Sequence, residues 1–304
     1  MTPGWWQRAM NTAFFILLVT LLTQTVVNAQ ETWLPARHIT RSDGGVMRQP
    51  CDEANARSAA KDALRLLCLR KGGSTDEATV RSAIVVGFVG GFVNHDDLRR
   101  PEVQFAAFLR DRYPSAIRVE VFANRDGRKA LRWLLRQLDA NGDGILTAAE
   151  KEKAAIIIYG HSWGGSQAVT LARQLDRLGI RVRLTIQVDS VPKLWQSGSR
   201  IPANVDCAIN FYQSEGLLLH GRPTISAADP DHTSILGNFQ MTYKDHSINC
   251  DNYPWLVRVL SKPHHEIEND PGVWDRVGAL IGYELSSEIS ASKTAWGSGA
   301  PPTE

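Results

Sequence analysis

This chain lacks any large excess of charge of one sign. Its 34 Lys and Arg meet 32 Asp and Glu, a formal net charge of +2. That is too little to argue for nucleic acid or an acidic partner. No basic block is interleaved with aromatics, so a nucleic-acid surface is set aside. No segment repeats at a fixed period, which excludes solenoids and propellers. There are only four cysteines, Cys51, Cys68, Cys207 and Cys250, and no two sit at the short spacing of a zinc knuckle. The longest uncharged run lies at the amino terminus.

There, Arg8 is the only charge before a run from Ala9 to Gln30 that has none. Ala13 to Leu22 is its most apolar part, and Val27-Asn28-Ala29 has the small residues of a cleavage site. This predicts a secretory signal peptide over 1–29, cut after Ala29. An uncleaved membrane anchor is the alternative, disfavoured by Thr23, Gln24 and Thr25. The expectation is a secreted or periplasmic protein with no stable membrane span after cleavage. Oxidising surroundings make disulfides plausible chemistry. Nearness in the chain favours Cys51–Cys68 and Cys207–Cys250, although four cysteines allow three pairings.

Residues 30–80 read as an amino-terminal extension, with a helical stripe through Ala56, Ala60, Ala63 and Leu67. From Ser82 onward, strands alternate with helices. Apolar runs at Ala83–Val86 and Ala155–Tyr159 predict buried strands, and Val205–Tyr212 is another strand. Ile117–Val121 and Val182–Val188 alternate, and Gln240–Tyr243 is the candidate last strand. Helical stripes fall at Leu131–Leu138, Ala168–Leu178 and Val273–Ile281. The pattern predicts an α/β fold, a mostly parallel central sheet with helices on both faces, over residues 81–285. The segment 286–304, rich in Ser, Gly and Pro, predicts a disordered tail.

Gly160-His161-Ser162-Trp163-Gly164 follows the most apolar strand and opens a helix. The motif G-x-S-x-G in that context marks a strained strand-to-helix turn that lifts a serine hydroxyl clear of the sheet. On these residues the chain resembles the α/β-hydrolase family, specifically its serine esterase and lipase-like members. The resemblance implies Ser162 as nucleophile, with an acid and then a histidine later in the chain. Asp189, at the end of Thr185–Val188, is the acid, with Glu215 the alternative. His264 is the first choice of base, from a loop before the closing helix, followed by His246 and His265. The oxyanion donors implied are the amides of Trp163 and Phe88, the latter in Val86-Gly87-Phe88-Val89-Gly90-Gly91, where Val86 replaces the usual histidine.

A second motif lies between a helix and the Ser162 strand. Asp139, Asn141, Asp143, Ile145 and Glu150, with Gly144 at the turn, fit a twelve-residue EF-hand loop over 139–150. Thr147 is a further ligand, direct or through water. Calcium is therefore the expected cofactor, acting as a clamp. The sequence-based reading is a secreted serine hydrolase of small-molecule carboxylic esters or lipids. Its rival is a non-catalytic calcium-binding module on the same scaffold. Oligomeric state is not legible.

Overall fold

The computed structural model describes residues 83–296, apart from 115–116, 153–154, 194–197, 217–218, 252 and 254. The chain divides into two units, Met1–Cys51 and Asp52–Glu304, and all described residues belong to the second. The predicted signal segment, the 30–80 extension, Cys51, Cys68 and residues 297–304 lie outside the described residues.

Six strands form one sheet: β1 (Ala83–Val89), β2 (Ile117–Ala123), β3 (Ala155–His161), β4 (Val182–Val188), β6 (Val205–Tyr212) and β8 (Ser234–Gln240). Their order is β2-β1-β3-β4-β6-β8, and every neighbouring pair is parallel. Two short strands, β5 (Arg200–Ile201) and β7 (Ser226–Ala227), pair separately. Six helices complete the described fold: α1 (Pro101–Arg112), α2 (Gly127–Leu138), α3 (Ala148–Glu152), α4 (Trp163–Asp176), α5 (Trp255–Asn269) and α6 (Pro271–Trp296).

Period-two alternation sorts side chains to two cores. Ile157 and Tyr159 of β3 face Phe105, Leu109, Trp274 and Ile281 of α1 and α6. Ile156 and Ile158 face Leu134 of α2 and Leu171 and Leu175 of α4. Central strand β1, covered on both faces, is therefore apolar and buried at every position. Edge strand β2 instead hides only Ile117, Val119, Val121 and Ala123. Each fully buried Leu or Ile stabilises by roughly 1.5–3 kcal/mol relative to exposure.

From β1 the chain moves outward to β2, then returns past β1 to β3. At such a reversal, the loops leaving neighbouring strands diverge and open a crevice at the strands' carboxyl ends. The crevice here lies between the turn after β1 and the turn after β3.

Three expectations are corrected. The last strand is Ser234–Gln240, not Gln240–Tyr243. It is a half-exposed edge strand, so it lacks the apolar run that reveals central strands. The closing helix runs on past Ser286 to Trp296, where no Gly or Pro interrupts the chain between Ser286 and Gly297. The Cys207–Cys250 bridge is not formed. Cys250 is a buried free thiol, pushed up to about 11 by burial. Cys207 sits on β6 within the sheet core. Closeness in sequence does not bring two Cβ atoms within bridging range.

Packing around α4 yields a prediction. A Cβ on Gly164 would lie 2.2 Å from the Phe88 carbonyl oxygen, which is backbone and cannot rotate away. Gly164→Ala should destabilise by about 1–3 kcal/mol. Gly278 on α6 has nothing nearer than 3.5 Å, so Gly278→Ala should instead stabilise by about 0.4–1 kcal/mol. Urea unfolding of the two variants checks the opposite signs.

Candidate active site

Ser162 stands between β3 and α4 with φ 55° and ψ −124°. This is a strained conformation for a residue with a Cβ, held because glycines flank it where other residues cannot fit. A Cβ on Gly160 would lie 2.5 Å from the Gly164 carbonyl. The Ser162 amide donates to the Val188 carbonyl at 2.9 Å, tying the turn to the end of β4.

Asp189 follows β4 with φ 42°, in the left-handed region that Asp tolerates better than most residues. It is fully buried, and four donors surround its carboxylate. Oδ1 accepts from the amides of Gln213 (3.1 Å) and Gly221 (2.8 Å). Oδ2 accepts from Gln213 Nε2 (2.9 Å) and His264 Nδ1 (2.6 Å). Burial disfavours the charge, but the bonds from His264 and Gln213 outweigh it and hold the carboxyl below its ordinary range.

His264 arrives from α5, not from a loop. The helix kinks at Ser261 (φ −143°) and carries Pro263 inside it. Proline removes a backbone donor and crowds the preceding turn, which breaks the helical line here. The segment after the kink places His264, 2% exposed, in the crevice. Because Asp189 Oδ2 can only accept, Nδ1 carries the proton. Nε2 then accepts from the Ser162 hydroxyl at 3.0 Å.

The other candidates lie elsewhere. Glu215 accepts from Thr242 Oγ1 and the Tyr243 amide. His246 is exposed beside Tyr243. His265 turns to Glu268, with Nδ1 at 3.3 Å from its carboxylate. Trp163 begins α4, so its amide has no intrahelical partner.

Phe88 is corrected. It lies within β1, paired in register with Phe122 and Gly160, with its carbonyl against Gly164. The turn facing Ser162 begins two residues later: a Cβ on Gly90 would meet the Ser162 Cβ at 3.0 Å. Gly91 takes φ +49°. Asn124, buried after β2, donates its side-chain amide to the carbonyls of Val89 and Gly91 and so fixes this turn. Phe92, 62% exposed, meets Trp163 edge-on with ring centroids 5.2 Å apart.

Gln213, Gly221, Asn124, Glu102 and Glu268 were not legible as site residues. Strand order would have pointed to Gln213, since it follows β6, the neighbour of β4. Glu268 lies one helical turn beyond His264, a relation hidden while 264–270 read as a loop. The His161 ring packs against His264 with centroids 4.6 Å apart. Burial pushes His161 down to about 3. Burial, then repulsion from Glu268, pushes Glu102 up to about 8.

The acidic loop forms a closed set of bonds. Asp139 accepts from the amides of Gly142 (2.8 Å) and Gly144 (3.0 Å). Asn141 accepts from the Asp143 amide, and Asp143 from the Ile145 amide. Glu150 accepts from the amides of Ala140 and Thr147, each at 2.9 Å, which lowers its pKa. Gly142 and Gly144 take φ +75° and +80°.

No protein-family model matches the chain, and no curated protein matches it. Among solved structures, it is similar to a protein from Xanthomonas campestris pv. campestris assigned to the alpha/beta hydrolase superfamily. That match has 18% identity and TM-score 0.27, covering 44% of this chain and 73% of that one. An esterase from Pyrobaculum calidifontis matches at 14% identity and TM-score 0.25, covering 45% of this chain and 53% of that one. The chain thus spans about half of that esterase's length. A cutinase-like protein from Cryptococcus sp. matches at 12% identity and TM-score 0.32, covering 70% and 98%. The likeness is distant, and the chemistry is read from this chain's own residues.

The Asp189 network sets an acid dependence. Its folded-state pKa lies below the ordinary carboxyl value of about 3.9, so its contribution to stability is present above that ordinary value and lost as pH falls through the lower, folded value. The stability gap between wild type and Asp189→Asn should therefore widen as pH rises toward the ordinary value and then level off. Urea unfolding across the acid range measures it.

Proposed function

We propose that this chain is a serine hydrolase that cleaves carboxylic esters through an acyl-enzyme. The carrying observation is the unbroken contact line from Ser162 Oγ to His264 (3.0 Å) and on to Asp189 (2.6 Å). A serine hydroxyl needs such a base at neutral pH. In the proposed reaction, His264 Nε2 takes the hydroxyl proton as Ser162 Oγ bonds to the carbonyl carbon. Asp189 orients the ring and stabilises the imidazolium. Collapse expels the alcohol, which leaves with the proton from His264. Water, deprotonated by the same imidazole, then releases the acid.

The developing oxyanion would meet the Trp163 amide and an amide of the Gly91–Phe92 turn. Losing one such donor costs about 3 kcal/mol at the transition state. The edge-packed Phe92 and Trp163 offer an apolar wall next to the nucleophile, which favours an acyl group over a charged one.

A serine-reactive phosphonate should label the wild type and spare Ser162→Ala; an unlabelled wild type, as the rival non-catalytic module requires, or equal labelling of both would end the proposal. Nitrophenyl esters of increasing chain length then read acyl preference. Asp189→Asn should lower kcat by about four orders of magnitude with binding preserved.

Calcium in the 139–150 loop is part of the same reading. The loop's side-chain oxygens, its two glycines at positive φ and the near-buried Glu150 fit a hard, oxygen-seeking ion. Asp139, Asn141, Asp143, the Ile145 carbonyl and Glu150 would hold it, stiffening the entry to β3. With an affinity of order 0.1–1 mM, about 10 mM calcium would add about 1.4–2.7 kcal/mol. Tm should rise with calcium in the wild type and stay fixed in Glu150→Gln. The amino-terminal segment makes the proposed enzyme an exported one, and sequencing the exported protein should find Gln30 first.

A further inference from the structure

Behind the His264 ring lies a second cluster that the proposed reaction does not use. Glu102 is the second residue of α1, His161 ends β3, and Glu268 is next to last in α5. They are 0%, 2% and 3% exposed. His161 Nδ1 lies 3.7 Å from Glu102 Oε1 and 3.7 Å from Glu268 Oε2. One ligand atom from each residue falls within 4.8 Å of the others. These gaps are too long for hydrogen bonds. They resemble the ligand spacing around one small cation, where bonds of about 2.0–2.2 Å set donor atoms about 3.3–3.6 Å apart.

A separate observation points to a ligand. Both ring nitrogens of His161 and both carboxyl oxygens of Glu102 are buried without a hydrogen-bond partner. The amide of Glu102 itself, the Arg100 charge and the Gly90 amide offset only part of the burial of Glu102. Each buried polar group left unsatisfied costs about 1–3 kcal/mol, and here such groups converge on one point.

We propose that Glu102, His161 and Glu268 bind one divalent cation of the zinc class as a structural site. Two carboxylates balance its charge, and a neutral imidazole is the form that ligates. One nitrogen and two carboxylate donors suit zinc better than calcium, which takes six to eight oxygens. Arg100 Nη1 on Glu268 Oε1 and His265 Nδ1 on Glu268 Oε2, both at 3.3 Å, supply the outer contacts that orient a ligating carboxylate. The ion would tie α1, β3 and α5 together next to Ser162 and one turn from His264. It does not touch the substrate, so its role is to position.

The test uses the full chain, loaded with zinc, dialysed and assayed for metal by mass spectrometry. About one zinc per chain should remain in the wild type and in Glu150→Gln, with affinity falling more than about tenfold in Glu102→Gln. Cobalt(II) replaces zinc in a wild-type measurement that depends on no variant folding, and should give the intense visible absorption of a four-coordinate site with an imidazole ligand. A wild type that emerges zinc-free, or Glu102→Gln that retains zinc like the wild type, overturns the proposal. So does zinc lost only in Glu150→Gln, or a weak six-coordinate cobalt spectrum, since both place the metal in the acidic loop. Phosphonate labelling of the same samples reports separately on Ser162, so failure here leaves the hydrolase reading standing or falling on its own evidence.

Discussion

The close approach of α4 to the ends of β1 and β3 governs the whole site. Gly164 lies against the Phe88 carbonyl, Gly160 against the Gly164 backbone, and Gly165 against Ser190. With the helix that near, the chain has no room for an ordinary turn, and Ser162 is driven to φ 55°. Strain of about 1–3 kcal/mol persists there because the packing on either side over-determines it. The same approach aims the start of the helix, with its unpaired amides, at the space above the serine.

The second constraint is electrostatic. A carboxylate as deeply buried as Asp189 is stable only if its oxygens are satisfied, and four donors do so. Those donors come from β6's far end, the loop at Gly221 and the kinked α5. A Cβ on Gly221 would collide with Asp189 Oδ1 at 2.4 Å, so the loop closes on the acid only as glycine. The acid's surroundings thus tie together parts of the chain that the sheet alone leaves apart. Behind them, Glu102, His161 and Glu268 continue the buried polar chain toward α1.

Much of this was readable from the chain. Periodicity found β1 and β3 as apolar runs buried on both faces, and β2 and β4 by alternation. It misplaced β8, whose exposed face carries no such mark. Spacing marked Ser162 and the 139–150 loop, since both depend on glycine conformations and on donors within a dozen residues. It put Phe88 in a turn, because the end of a strand is set by pairing with neighbours, and β1 pairs on both sides through Phe88. It paired Cys207 with Cys250 by distance along the chain, which says nothing about which way either side chain faces.

The alternation of strands and helices, the tight turn at Ser162 and the acidic loop are each encoded by residues close together in the chain, and so could be read without a structure. Only the tertiary structure decided that His264 meets Ser162, that Gln213 and Gly221 hold Asp189, and that Glu102 and Glu268 converge on His161. Ser162 and His264, for example, are 102 residues apart. Their meeting follows from strand order and a proline kink, and no local pattern records where a distant segment will land.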